Sequence, residues 1–93
     1  MKQLSPEERR LARRALYDAL EAGELELPET VRRLREVAGM TQAEFGERIA
    51  GVSRLTISQI ERGEGNPTLD TLNRIGRAFG LTLGFVPKRT PRA

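Results

Sequence analysis

Between Ser53 and Thr68 the chain carries side chains suited to recognition rather than to reaction. The Gln59 carboxamide can meet an adenine edge with two parallel hydrogen bonds, the Arg54 guanidinium suits guanine or a phosphate, and Leu55 suits a thymine methyl. If Ile57 and Ile60 face a core, a rotation of about 100° per residue puts Leu55, Ser58, Gln59 and Arg62 on the opposite side of a helix, with Arg54 and Thr56 flanking its first turn. Arg54, Leu55, Thr56 and Gln59 are therefore expected to meet bases. Gln42, Ser53, Ser58, Arg62, Asn66 and Thr68 are expected to meet phosphate oxygens, Gln42 because it sits in the first turn of another helix. Outside a helix-turn-helix, Leu55 would be a marginal core contact and Gln59 a solvated amide; a shared outward face favours recognition.

These residues need a helix pair to hold them. Thr41-Gln42-Ala43-Glu44 has the spacing of a capping box and opens a helix with Phe45 and Ile49 inside. Gly51-Val52 turns the chain, Ser53 caps the next helix, and Gly63 stops it. Before this pair, Val31, Leu34 and Val37 line a helix that starts at Pro28 and ends at Gly39. After it, Thr68 caps a helix striped by Leu69, Leu72, Ile75 and Phe79 that ends at Gly80. Two short helices joined by a tight turn let one cross the DNA backbone while the next enters the major groove.

The flanks read differently. Ser5-Pro6-Glu7-Glu8 starts an amphipathic helix whose docking side is expected at Leu11, Ala15, Leu16, Ala19 and Leu20. Arg9, Arg10, Arg13 and Arg14 on its other sides could touch phosphate, but they are interleaved with glutamate, and the pattern of a solvated face ranks first. Residues 24–27 form a linker. Leu81 to Val86 alternates, which predicts a strand with Leu81, Leu83 and Phe85 on one side, followed by a basic tail from Lys88 to Arg92. The expected organisation is an N-terminal helix and linker at 1–27, a DNA-binding unit at 28–80, and a dimerisation strand with tail at 81–93.

Composition narrows the chemistry. The 93 residues hold no cysteine and no histidine, which leaves no thiolate site, no imidazole base and no common metal ligand pattern. Neither a Gly-Lys-Ser/Thr phosphate loop nor a complete dinucleotide fingerprint occurs, so no enzyme and no cofactor are expected. Lys plus Arg number 16 against 13 for Asp plus Glu. Residues 1–40 contain eight of each sign and residues 41–93 contain eight bases and five acids, so the net +3 lies wholly in the second part. No apolar run is long enough to span a bilayer, and the first residues lack a signal-peptide core. A cytoplasmic protein with no membrane association is the default expectation.

Thr41-Gln42-Ala43-Glu44-Phe45, Val52-Ser53-Arg54, Thr56 through Gly63 and Asn66 through Leu72 together resemble the XRE-type helix-turn-helix family of phage and bacterial repressors. The likeness covers about residues 29–80 and implies an all-α, five-helix, lambda-repressor-like fold, here with the short C-terminal β-strand added. It also implies phosphate contact at Gln42, base contact at Arg54, Leu55 and Gln59, and a bracing role for Glu61. Ile49 to Ser53 is one residue longer than the family's usual turn, which would move the start of the recognition helix. A helical domain followed by an apolar strand and a basic tail also resembles the autorepressing antitoxins of toxin-antitoxin operons, and that second likeness implies a toxin as protein partner.

The expected function is therefore repression by a homodimer on double-stranded DNA with an inverted-repeat operator. A lone strand needs a second copy to pair with, which places the interface at Leu81, Leu83 and Phe85; pairing within the chain to residues 24–27 ranks second. The rival is a protein adaptor or toxin-neutralising module, which would lack salt-dependent DNA binding. RNA binding ranks third, for want of exposed aromatic side chains.

Overall fold

Four of the five α-helices begin on a hydroxyl side chain that accepts the backbone N–H three residues ahead. The computed structural model describes residues 4–87. In it α1 spans Pro6–Glu21, α2 Leu27–Ala38, α3 Gln42–Phe45, α4 Arg54–Glu61 and α5 Leu69–Ala78, and the five residues Gly46–Ala50 continue α3 as a π-helical turn. Ser5, Thr41, Ser53 and Thr68 are the caps of α1, α3, α4 and α5. In α1 and α3 the box is complete, because Glu8 and Glu44 reach back to the N–H groups of Ser5 and Thr41, each at 2.9 Å. Only α2 lacks such a cap; it opens on Leu27 with Pro28 in the first turn, where a missing N–H costs nothing.

The core lies between α2, the α3–π unit, α4 and α5. Phe45, Ile57 and Val31 are fully buried at its centre, with Leu34, Ile60, Ala50 and Ile75 around them. Phe45 stacks on Phe79 with ring centroids 6.2 Å apart, which ties the start of the helix pair to the end of α5. At about 25 cal/mol per Å² of apolar surface, side chains of this size each contribute roughly 1.5 to 3 kcal/mol on burial.

Helix α1 packs on α2, but not along the expected stripe. Leu16 is fully buried, and Ala12, Tyr17 and Leu20 lie against the core, whereas Leu11 is 58% exposed and Ala15 is exposed. The helix is rolled toward Tyr17. The Tyr17 hydroxyl donates to the Phe79 carbonyl, and the Arg13 guanidinium covers its ring.

The expected C-terminal strand does not form: residues 81–87 pair with no other segment, and no strand occurs among the described residues. The Leu81 N–H donates to the Gly76 carbonyl at 2.8 Å, closing the last turn of α5 over Gly80, which sits at φ 70°. That donor is spent on a helix end rather than on a ladder. Val86 and Pro87 line a shallow cleft with Gly23 through Leu27, yet no backbone hydrogen bond joins the two stretches. The basic tail at 88–93 lies outside the described residues.

Candidate nucleic-acid interface

The first turn of α3 is locked by a buried ion pair. Arg35 on α2 meets Glu61 at the end of α4 through two parallel hydrogen bonds of 2.7 and 3.0 Å, and also donates to the Met40 carbonyl at 3.1 Å. The two side chains are 9% and 6% exposed. The bond to Glu61 holds the Arg35 guanidinium above its ordinary pKa in spite of burial. Gln42 donates its amide Nε2 to the same carboxylate at 3.1 Å. Because a carboxylate only accepts, the contact fixes which way the amide faces and leaves one Nε2 hydrogen and the Oε1 for another partner. Glu61 thus braces the domain, as its place in the pattern implied. Arg35 was not foreseen; the one trace of it in the sequence is a cation directly after Leu34 on the buried side of α2.

The connection between α3 and α4 runs through the π turn Gly46–Ala50. A π turn closes its hydrogen bonds over five residues instead of four, so Gly46–Ala50 holds one residue more than an α-helical turn would. Gly51 then reverses the chain at φ 72°, and the Gly46 carbonyl accepts the N–H groups of Gly51 and Val52. A Cβ on Gly46 would stand 2.5 Å from the Val52 carbonyl oxygen, so only glycine lets the turn close this tightly. The helix after it starts at Arg54, with the Ser53 hydroxyl accepting the Thr56 N–H at 3.3 Å.

Along α4 the outer strip runs from exposed Arg54 and Leu55 past half-buried Gln59 to exposed Arg62. Leu55 is 56% exposed although apolar. Gln59 is half-buried and lies against Gly65, where its Oε1 would be 3.5 Å from an added Cβ, so the loop after α4 stands beside the helix. Thr56 is half-buried on the flank. Ser58 departs from the expectation: it is buried, and its hydroxyl accepts from Arg62 Nη1 at 2.8 Å. Because α2 and α3 both pack on α4, its covered arc is wider than Ile57 and Ile60 alone suggest, and Ser58 falls inside it. Arg62 also reaches Glu64 at 3.3 Å.

Asn66 is exposed in the loop, and Thr68 is exposed at the start of α5. The Thr68 hydroxyl is already engaged, accepting the Thr71 N–H at 3.1 Å and donating to the Thr71 hydroxyl at 3.0 Å. The three residues expected at a subunit interface separate: Leu81 packs against the core, Leu83 is partly exposed, and Phe85 is fully exposed. Phe85 is also the exposed aromatic side chain that the argument against RNA took to be absent.

A family model described as Helix-turn-helix matches residues 31–86. The chain belongs to the XRE-type helix-turn-helix family. It is 37% identical over 59 residues to a Haemophilus influenzae protein named as an uncharacterized HTH-type transcriptional regulator, a match covering 63% of this chain and 59% of that one. It is 44% identical over 50 residues to a protein of the same description from Methanothermobacter thermautotrophicus, covering 54% and 71%, and 42% identical over 50 residues to one from Sinorhizobium fredii, covering 54% and 64%. The matched part thus spans between 59% and 71% of these relatives' lengths. No solved structure matches. In this helix-turn-helix the first helix is α3 with its π turn and the second is α4. The brace from Arg35 through Glu61 to Gln42 joins the start of the first to the end of the second. No helix among the described residues is long and apolar enough to cross a membrane, and no group of three metal-ligating side chains occurs among them.

Proposed function

We propose that the chain binds double-stranded DNA in a sequence-specific manner as a dimeric transcriptional repressor. Helix α4 enters the major groove, and the N-terminus of α3 rests on the backbone. The observation that carries this reading is the strip of Arg54, Leu55 and Gln59: an exposed guanidinium, an exposed apolar side chain and a half-buried carboxamide share the side of α4 away from the core residues Ile57 and Ile60. Those three side chains match the groups that a major-groove edge displays. Thr56 flanks them, while Gln42, Ser53, Arg62, Asn66 and Thr68 ring the strip as phosphate contacts, Ser53 and Thr68 through groups their caps leave over. Ser58 drops out of the set because it faces inward. The relatives' description as HTH-type transcriptional regulators supports the same reading. Dimerisation is assigned to the exposed apolar side chains beyond Gly80, Leu83 and Phe85, with Leu81 anchoring the segment to its own domain.

Selection from a random duplex pool tests the proposal. The recovered sites are expected to be inverted repeats with half-sites about one helical turn, roughly 34 Å, apart. Gln59→Ala should weaken the selected site by about 1 to 3 kcal/mol and relax one base pair in each half, whereas Gln42→Ala should weaken all sequences evenly. Retention of no DNA at low salt would instead identify an adaptor. An unchanged preference for Gln59→Ala would remove that residue from direct readout.

A further inference from the structure

We infer that Arg9 and Arg13 of α1 form a second phosphate clamp, gripping the duplex backbone outside the segment read by the helix-turn-helix. The inference rests on the DNA-binding reading above and extends it to a helix that precedes the matched family region. Arg9 and Arg13 lie on the side of α1 that docks, one turn after another ahead of the fully buried Leu16. Docking therefore fixes their backbone. Beyond Leu16 that side overhangs the last turn of α2, where Pro6, Arg9, Arg10 and Arg13 line a groove with Val37, Ala38 and Phe79. The Arg9 guanidinium reaches the end of α2: an added Cβ on Gly39 would stand 3.4 Å from its Nη2. Gly39 is two residues before Thr41, which caps the helix whose first residue, Gln42, is assigned to phosphate. Arg9 thus lies at the turn that leads from α2 into the first phosphate-contact position.

The charge balance around α1 changes the meaning of the arginine cluster. In sequence it is interleaved with glutamate, but Glu7 pairs with Arg10 at 3.9 Å and Glu8 is turned back onto the Ser5 N–H at 2.9 Å. On α2, Glu36 is taken by Arg32 at 3.1 Å. No carboxylate among the described residues lies within ion-pair distance of Arg9 or Arg13. Arg13 is held with its guanidinium carbon 5.4 Å from the centre of the Tyr17 ring, and the Tyr17 hydroxyl donates to Phe79, so its support is itself pinned. A guanidinium held over a ring by cation–π attraction still has N–H groups for another partner, and their fork matches the oxygens of a phosphate. Attraction of Arg9 to the C-terminal end of α2 accounts for one arginine at that end. It does not account for Arg13, a turn further on.

The test is a salt titration of the full chain on a duplex of random sequence, about 40 base pairs long, comparing wild type with the Arg9→Ala/Arg13→Ala double variant. Removing two phosphate contacts should make the plot of log affinity against log salt shallower by roughly 1.8, and the base preference recovered from a random pool should not change. Arg9→Lys/Arg13→Lys should keep most of the slope. Arg14→Ala, whose side chain leaves α1 on another side, should not alter it; an equal loss there would mean bulk charge and would overturn the clamp. Wild-type binding with an unaltered slope in the double variant would overturn the clamp and leave the helix-turn-helix reading standing. Absence of salt-dependent binding in the wild type would overturn both. Circular dichroism of each variant separates lost contacts from lost folding.

Discussion

From α2 to α5 the chain satisfies itself, and beyond Gly80 it does not. In the first region the buried polar side chains have partners, and each of the turns after α2, α4 and α5 is closed by a left-handed glycine and a backbone bond back into the helix. In the second, Phe85 and Val86 stand in solvent and Leu83 is partly exposed, on a segment whose one helix-closing bond is at its first residue. The contrast assigns separate work to the two regions. A strip that reads bases must be held still, and a region complete in itself can do that. A segment that carries unburied apolar side chains gains most by meeting something else, since covering a phenylalanine is worth about 1.5 to 3 kcal/mol.

The largest expected effect breaks the self-sufficient region at its most interior polar point. Glu61→Ala leaves the Arg35 guanidinium buried without its carboxylate and releases Gln42, and should lower stability to denaturant by about 3 to 5 kcal/mol. Glu61→Gln keeps the shape and a hydrogen-bond acceptor and should cost less. Equal losses for the two variants would mean that charge in this pair matters little.

Next is the turn. Gly46→Ala places a methyl group where the Val52 carbonyl oxygen stands 2.5 Å away, and that neighbour is backbone, which cannot swing aside. A loss of about 1 to 3 kcal/mol is expected, together with weaker DNA binding, because Ser53 and the start of α4 follow that carbonyl directly. A variant as stable as wild type would show that the π turn relaxes more easily than its packing suggests.

What the sequence disclosed about this region follows the distance over which each feature acts. Ser5 with Glu8, Thr41 with Glu44, Ser53 and Thr68 were legible as caps because both partners lie within one turn. The length of the segment before Val52 was visible as an irregularity, but the π turn that forms there is packed by α5 and α4, which no local pattern reveals. Arg35 and Glu61 are 26 positions apart, and nothing local joins them. Ser58 and Leu11 were misplaced for a related reason: periodicity sets the angle between side chains on a helix but not how many neighbours cover it. For Leu81 to Val86 the alternation was real and the strand was not, since a strand also requires a second backbone to accept its donors.

A smaller effect tests the caps themselves. Glu8 and Glu44 accept the backbone N–H groups of Ser5 and Thr41, and those bonds hold both carboxyls below their ordinary value of 4.5. A carboxyl whose pKa is lowered by folding stabilises the fold above its unfolded value and loses that contribution as pH falls through the lowered one. Melting temperature should therefore be insensitive to these groups near neutrality and begin to fall below about pH 4.5. Glu44→Gln should flatten part of that acid decline, as followed by circular dichroism; an identical pH profile would show that the α3 box carries no linkage.

The smallest expected effect on folding decides what the second region is for. Phe85→Ser removes a side chain that is fully exposed and touches no core residue, so monomer stability should stay within about 0.5 kcal/mol of wild type. If Leu83 and Phe85 cover one another across a two-fold axis, the same change exposes nothing new in the monomer but removes an apolar contact twice per dimer, since each contact in an isologous interface occurs in duplicate. Sedimentation should then shift from dimer toward monomer, and binding to an inverted repeat should lose the gain that comes from linking two half-sites, while binding to a single half-site stays the same. A variant that remains dimeric would move the interface away from this segment, and the exposed Leu11 and Ala15 side of α1 would be the next surface to test.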